Sequence, residues 1–162
     1  MEINLKEYIK SIPDFPKEGI MYRDIQPLLS DNTVFNYAIR NMLYGLKKIP
    51  EYFVGIEARG FIFASGMSVL SGAGFKMIRK AGKLPPNDLN SIEYGLEYGR
   101  DEMQIEKGSG QIVLVDDIYA TGGTMAAAEI LAETSGYEVI QKVCLLDIGL
   151  IKKHDTKCLI YY

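Results

Sequence analysis

Histidine and cysteine are scarce in this chain, and that scarcity removes several chemistries at the outset. The 162 residues hold one histidine, His154, and two cysteines, Cys144 and Cys158. One histidine is too few for the usual zinc and copper sites. It sits in the charged stretch Lys152 to Lys157 and is assigned no role. The cysteines lack a CxxC spacing and lie in apolar runs, so they read as reduced core residues of a cytosolic protein. Long apolar runs are missing too. The N-terminal MEINLKEYIK has no apolar signal core. The longest uncharged stretch, between Arg59 and Lys76, is broken by glycine and serine and is too short for a membrane span. Nor is there an excess of positive charge. The net charge of −3 argues against general electrostatic binding of nucleic acid. A cytoplasmic location with neither a membrane nor a nucleic-acid partner is expected. Two nucleotide signatures are also absent. Without G-x-G-x-x-G or G-x-x-x-x-G-K-[ST], a dinucleotide fold and a P-loop NTPase are both disfavoured.

What is present alternates in a regular way. Tyr52 to Ile56, Phe75 to Ile78, Ile112 to Val115, Val139 to Leu146 and Cys158 to Tyr162 read as strands. Phe35, Ala38, Ile39, Met42 and Leu46 repeat at helical spacing, with N-cap candidates at Asp31 to Thr33 and a stop at Pro50. Phe61 to Leu70 and Met125 to Ala132 read as further helices, stopped at Gly72 and near Gly136. A short helix is expected over Leu5 to Ser11, ended by Pro13, and an extended segment over Ile20 to Ile25, stopped by Pro27. Residues 81–91 form a loop long enough to be functional, and Tyr94 to Ile105 reads as a hairpin flanking it. The length suits one domain. The alternation implies an α/β fold, a mostly parallel central sheet with helices on both faces. Ligands of such sheets bind outside the carboxyl ends of the strands. The links Glu57–Gly60 and Asp116–Thr124 both fall there.

Ile112–Met125, IVLVDDIYATGGTM, concentrates the chemistry. Its glycine turn, Ala120-Thr121-Gly122-Gly123-Thr124, joins a strand to a helix. Successive N–H groups of such a turn can converge on one anion. The helix behind it adds a positive dipole end, and Thr121 and Thr124 add hydroxyl donors. By itself the turn reads equally well as a tight connection with threonine caps. Asp116 and Asp117 shift the balance. Two ionised carboxylates would repel a phosphate aimed at them, but they can accept hydrogen bonds from vicinal hydroxyls. Capping and metal binding are the alternatives for that pair. Cradle and pair together imply a ribose phosphate. Elsewhere the residues alone are bland. Arg79, Lys80 and Lys83 read as a solvated basic cluster. Tyr22 reads as a half-buried strand residue, Arg23 as a surface partner of Asp24, and Glu97 and Tyr98 as hairpin positions.

VLVDDIYATGGTM resembles the phosphoribosyl-pyrophosphate motif of type I phosphoribosyltransferases. Ile12–Leu28 (IPDFPKEGIMYRDIQPL), Gly55–Phe63 (GIEARGFIF), Ile78–Pro85 (IRKAGKLP) and Leu96–Gly99 (LEYG) are similar to the adenine phosphoribosyltransferase family, in order along the chain. The resemblance implies purine salvage, in which adenine and phosphoribosyl pyrophosphate give AMP and pyrophosphate. It also implies substrate-bound Mg²⁺ with no protein metal site, a homodimer, an N-terminal base-binding hood over residues 1–30, and a mobile loop and hairpin over 81–105. Matched residue by residue, Ala120, Thr121, Gly122, Gly123 and Thr124 would hold the 5-phosphate, and Asp116 and Asp117 the ribose hydroxyls. Arg59, in a link expected to carry a non-proline cis peptide, would bind pyrophosphate together with Arg79, Lys80, Lys83 and Tyr98. Tyr22 would stack on adenine, Met21 and Arg23 would read its edge, and Ile148 would cover its other face. Glu97 would take the proton. Pro86–Ile92 (PNDLNSI) departs from the commoner loop sequence of the family. A 6-oxopurine phosphoribosyltransferase, a non-catalytic phosphoribosyl-pyrophosphate sensor and a phosphoribosyl-pyrophosphate synthase are the rival readings.

Overall fold

The computed structural model describes residues 2–96 and 99–162. Glu97 and Tyr98, the proton acceptor and one pyrophosphate contact expected from the resemblance, lie outside the described residues.

The chain opens with a 3₁₀ turn, Leu5–Tyr8, followed by β1 (Lys10–Ile12) and β2 (Tyr22–Asp24). The expected helix over Leu5 to Ser11 is therefore cut short. Lys10, Ser11 and Ile12 pair antiparallel with Asp24, Arg23 and Tyr22, and cross-strand bonds replace the later helical ones. α1 (Gln26–Ser30) follows, with Pro27 in its first turn, where a missing N–H costs nothing. Pro27 starts an element here rather than only stopping one. α2 (Asn32–Tyr44) is capped by Asp31, whose carboxylate accepts from the Thr33 and Val34 N–H groups at 2.9 and 3.1 Å. It ends at Tyr44, well short of Pro50. The Gln141 amide and the Lys157 ammonium donate to the Gly45 carbonyl and close that helix end from elsewhere in the fold.

β3 (Tyr52–Ile56), α3 (Gly60–Ser71), β4 (Gly74–Lys80), β5 (Leu89–Leu96), β6 (Gly99–Glu106), β7 (Gly110–Tyr119), α4 (Gly123–Thr134), β8 (Tyr137–Asp147) and β9 (Lys157–Tyr161) complete the fold. The seven-stranded sheet runs β5-β6-β4-β3-β7-β8-β9. β4, β3, β7, β8 and β9 are parallel neighbours, and the β5–β6 hairpin joins antiparallel at the β4 edge. Alternate side chains serve opposite faces. Phe53, Val113 and Val115 pack with Ile39, Phe63 and Met67 of α2 and α3. Val54, Ile112 and Leu114 pack with Ala128 and Leu131 of α4. Helices thus cover both faces, as the alternation implied. Cys144 and Cys158 are free, buried, and opposite each other on β8 and β9. Among the described residues no helix is long and apolar enough to cross a membrane.

Two boundaries differ from the sequence expectation and both bear on the site. β7 does not end before the acidic pair. It continues through Asp116 and Asp117 to Tyr119, because β8 pairs alongside it as far as Asp147. The hairpin starts at Leu89, so the irregular segment shrinks to residues 81–88.

Candidate active site

The carboxyl ends of β3, β4, β7 and β8 meet along one edge. The link from β3 to α3 packs directly on β7. A Cβ at Gly60 would stand 2.6 Å from the Val115 carbonyl oxygen and 3.1 Å from Asp116 Oδ1, so only glycine permits this approach. The Glu57–Ala58 peptide bond in this link is cis. Glu57 fastens the link to β4. Its Oε2 accepts from the Lys80 N–H at 2.7 Å and lies 3.4 Å from Arg79 Nε. Burial alone would raise the Glu57 carboxyl, but the Lys80 N–H and Arg79 outweigh it and hold it below its ordinary value.

Arg59 leaves this link and reaches both sides of the cleft. Its Nε lies 2.7 Å from Asp117 Oδ2. That buried oxygen receives no aligned N–H among the described residues, so the contact is an ion pair rather than a directed hydrogen bond. Another Arg59 nitrogen donates to the Tyr22 hydroxyl at 3.1 Å, with the guanidinium carbon 5.4 Å from the ring centre. Burial pushes the carboxyls of Asp116 and Asp117 upward. At Asp116 the neighbouring Asp117 charge adds to the effect, and at Asp117 the Arg59 charge opposes it without cancelling it. Asp116 Oδ1 accepts from the Asp117 N–H at 2.9 Å.

Past Tyr119 the chain turns through Gly122, which adopts a left-handed φ of +84° and caps α4. Ala126 donates to the Gly122 carbonyl at 2.9 Å. The N–H groups before it belong to the first helical turn, which has no intrahelical acceptors to offer them. Among the described residues the Gly123 N–H makes only a long contact, 3.5 Å, to Thr121 Oγ1. The hairpin lies over this turn: the Gly95 carbonyl oxygen is 3.9 Å from where a Cβ on Gly123 would stand. Leu96 pairs with Gly99 at the end of the described part of the hairpin.

The basic cluster is neither free nor simply solvated. Lys80 Nζ pairs with Asp101 on β6 at 2.9 Å. Arg79 donates to the Lys83 carbonyl at 3.2 Å and faces Glu57. Lys83 is exposed in the turn that follows. On the opposite side, Tyr22 meets Phe15 edge-on at 5.1 Å, and Met21 is exposed. Arg23 does not pair with Asp24, whose carboxylate caps the Gln26 N–H instead at 2.9 Å. Its guanidinium bonds Ser11 and lies 4.0 Å over the Tyr162 ring. Ile148, half-buried, donates its N–H to the Tyr119 carbonyl at 3.1 Å.

A family model of the phosphoribosyl transferase domain matches residues 24–160. The adenine phosphoribosyltransferase of Hydrogenovibrio crunogenus is 47% identical over 156 residues, covering 93% of this chain and 90% of that protein. The chain belongs to the adenine phosphoribosyltransferase family. The Clostridium botulinum adenine phosphoribosyltransferase is 42% identical over 158 residues, 94% of this chain and 91% of that one. The crystal structure of adenine phosphoribosyltransferase from Thermoanaerobacter pseudethanolicus superposes with a TM-score of 0.89 at 37% identity, covering 98% of both chains. That of the Giardia lamblia enzyme, complexed with 9-deazaadenine, gives 0.89 at 31% identity, covering 98% of this chain and 96% of that one.

For a phosphoribosyltransferase of this family, reading the sequence alone missed four contributors. Glu57 anchors the arginine link, and Gly60 lets it touch β7. Both stand inside the GIEARGFIF motif, where only the glycine carried a signal. Tyr119 and Asp147, at the ends of β7 and β8, carried none, because their placement opposite each other depends on strands pairing side by side.

Proposed function

We propose that this chain transfers the phosphoribosyl group of phosphoribosyl pyrophosphate to adenine, giving AMP and pyrophosphate. One observation carries the assignment of roles: Arg59 touches both Asp117 and Tyr22. A cation for the leaving group thus stands between an acceptor for sugar hydroxyls and a ring that can stack on a base.

In this reading the N–H groups and hydroxyls of Ala120–Thr124 receive the 5-phosphate at the start of α4. Asp116 and Asp117 accept from the ribose hydroxyls. Arg59, Arg79, Lys80, Lys83 and Tyr98 neutralise the departing pyrophosphate, with Lys80 exchanging Asp101 for substrate. Tyr22 and Ile148 hold the two faces of adenine, while the backbone of Met21 and Arg23 reads its edge. As the sugar carbon becomes oxocarbenium-like, the base attacks from the opposite side, and Glu97 accepts its proton. Residues 81–88 and the hairpin exclude the water that would otherwise hydrolyse the sugar.

The donor set at the sugar end suits Mg²⁺ brought in on the substrate: two adjacent carboxylates, with Asp117 Oδ2 held only by its ion pair with Arg59 among the described residues. Asp116 and Asp117 are the residues that would border it. When bound, Mg²⁺ supplies charge neutralisation on the leaving oxygens.

The deciding experiment mixes the protein with Mg²⁺, phosphoribosyl pyrophosphate and each nucleobase in turn and follows pyrophosphate release. Release with adenine is expected. Release with hypoxanthine or guanine alone overturns the substrate, and binding without release overturns the enzyme reading. The same reading includes a homodimer and a cytoplasmic location, checked by light scattering and by fractionation.

A further inference from the structure

The chain's one histidine, assigned no role from sequence, lies inside the fold beside the phosphate turn. β7 and β8 end in register, with Tyr119 opposite Asp147. The connection from β8 to β9 then folds back over this pair. Asp155 anchors it, 2.9 Å from Lys142 Nζ on β8. His154, the preceding residue, lies against Tyr119 with ring centres 3.9 Å apart and planes 28° from parallel. Its Nε2 meets Asp147 Oδ2 at 2.9 Å. Its Nδ1 is buried with no hydrogen-bond partner among the described residues. An unpaired buried nitrogen costs stability. The side chain is therefore suited to its place by the ring face and Nε2, not by full satisfaction of its polar atoms.

The far end of the Tyr119 ring points at the phosphate turn. A Cβ at Gly122 would collide with the Tyr119 hydroxyl, so the phenol fills the space beside that left-handed glycine. Tyr119 is nearly buried and packs with Met125 and Ala128 of α4. A continuous stack runs from Asp147 through the His154 and Tyr119 rings to Gly122. The base-side turn is held by other atoms of Asp147 and Tyr119: the Gly149 N–H donates to Asp147 Oδ1 at 2.8 Å and the Ile148 N–H to the Tyr119 carbonyl at 3.1 Å. Neither bond involves His154.

We infer that His154 is a positioning residue for the phosphate turn: tied to Asp147 and stacked on Tyr119, it presses the phenol against Gly122 and sets the spacing of the N–H groups that receive the 5-phosphate. The inference rests on the reading of Ala120–Thr124 as the phosphate cradle. It assigns no contact with substrate to His154 itself. A turn held in the bound geometry loses less freedom on binding, so the stack acts on affinity for the phosphorylated substrate rather than on the chemical step.

Steady-state kinetics with each substrate varied separately test this. His154→Ala is expected to raise KM for phosphoribosyl pyrophosphate about fivefold, the scale of one lost aromatic contact. The KM for adenine and kcat are expected to stay within about twofold. His154→Phe, which restores a ring without the Asp147 bond, is expected to recover most of the loss. Tyr119→Leu should reproduce the rise, and it carries the test if His154→Ala fails to fold. An unchanged phosphoribosyl-pyrophosphate KM in a folded His154→Ala or Tyr119→Leu variant overturns the inference. A parallel rise in both KM values with a fall in kcat overturns it too, since that is general disruption. Thr124→Ala separates the layers. If it raises that KM while the other two variants do not, the cradle stands and the stack is irrelevant. If Thr124→Ala also leaves it unchanged, the cradle reading fails and the inference falls with it.

Discussion

Arg59 Nε lies 2.7 Å from Asp117 Oδ2, and this contact joins the β3–α3 link to the end of β7. It places the cation proposed for the leaving group against a carboxylate proposed for the sugar. The pair offsets the charge of Asp117, which stands beside the like-charged Asp116. The arginine fork also reaches Tyr22, so one side chain touches residues of all three proposed substrate regions.

Arg59→Lys keeps the charge and loses the fork. A compact ammonium cannot meet Asp117 and Tyr22 together. Loss of one preorganised donor of this kind lowers kcat/KM by about a hundredfold. Pyrophosphate release at limiting phosphoribosyl pyrophosphate reads the effect, and an unchanged circular dichroism spectrum shows that the fold is intact. Full activity in Arg59→Lys would contradict the bridging role.

Asp116→Asn probes the cost of the buried pair. Burial, then the Asp117 charge, holds the Asp116 carboxyl above its ordinary value. Between those two values the folded chain keeps a proton that the unfolded chain has lost, so stability falls as pH rises through that window. The asparagine variant escapes this. It is expected to melt above the parent protein at neutral pH, with the gap closing as pH falls toward about 4. Thermal melts across a buffer series measure it. A variant that melts lower at neutral pH would sink the argument.

Gly60→Ala tests the close approach of the link to β7. The added methyl would meet the Val115 carbonyl at 2.6 Å, so the link must move. Overpacking of this kind costs about 1–3 kcal/mol. A lower urea midpoint is expected together with a fall in kcat/KM, because Arg59 moves with the link. Loss of stability with full activity would show that Arg59 is placed by something else.

Glu97→Gln keeps the size of the proposed proton acceptor and removes its basicity. General-base catalysis contributes on the order of a hundredfold or more, so kcat is expected to fall by about that factor. The KM for phosphoribosyl pyrophosphate is expected to hold. Single-turnover kinetics separate this chemical step from product release. Wild-type single-turnover rates in Glu97→Gln would move the role to another group.

Much of the fold was legible because burial leaves a local signature. Tyr52–Ile56 is a run of apolar residues bounded by Pro50 and Glu57, and β3 has those bounds. Asp31 announced the start of α2 through its capping chemistry. The end of α2 was not legible, since the carbonyl of its C-cap, Gly45, is met by Gln141 and Lys157 from β8 and β9. The extent of β7 was hidden for a similar reason. Adjacent carboxylates suggest a loop, and only the pairing with β8 and the charge of Arg59 make a strand of them. Arg79 and Lys80 looked alike as members of a basic cluster. Glu57 and Asp101, remote in sequence, give them different partners.

The sequence by itself determined the glycine turn and the acidic pair, because consecutive residues build both. Two carboxylates, a glycine turn and a helix start within one segment bring acceptors and N–H donors close together without a distant partner. Tertiary structure decided everything that joins segments: Arg59 against Asp117 and Tyr22, Gly60 against Val115, and His154 stacked on Tyr119. These contacts exist because the sheet order lays β3, β7 and β8 side by side with their carboxyl ends together. Hydrophobic burial on both faces fixes that order, and the energy of packing then holds polar groups in places that no local pattern announces.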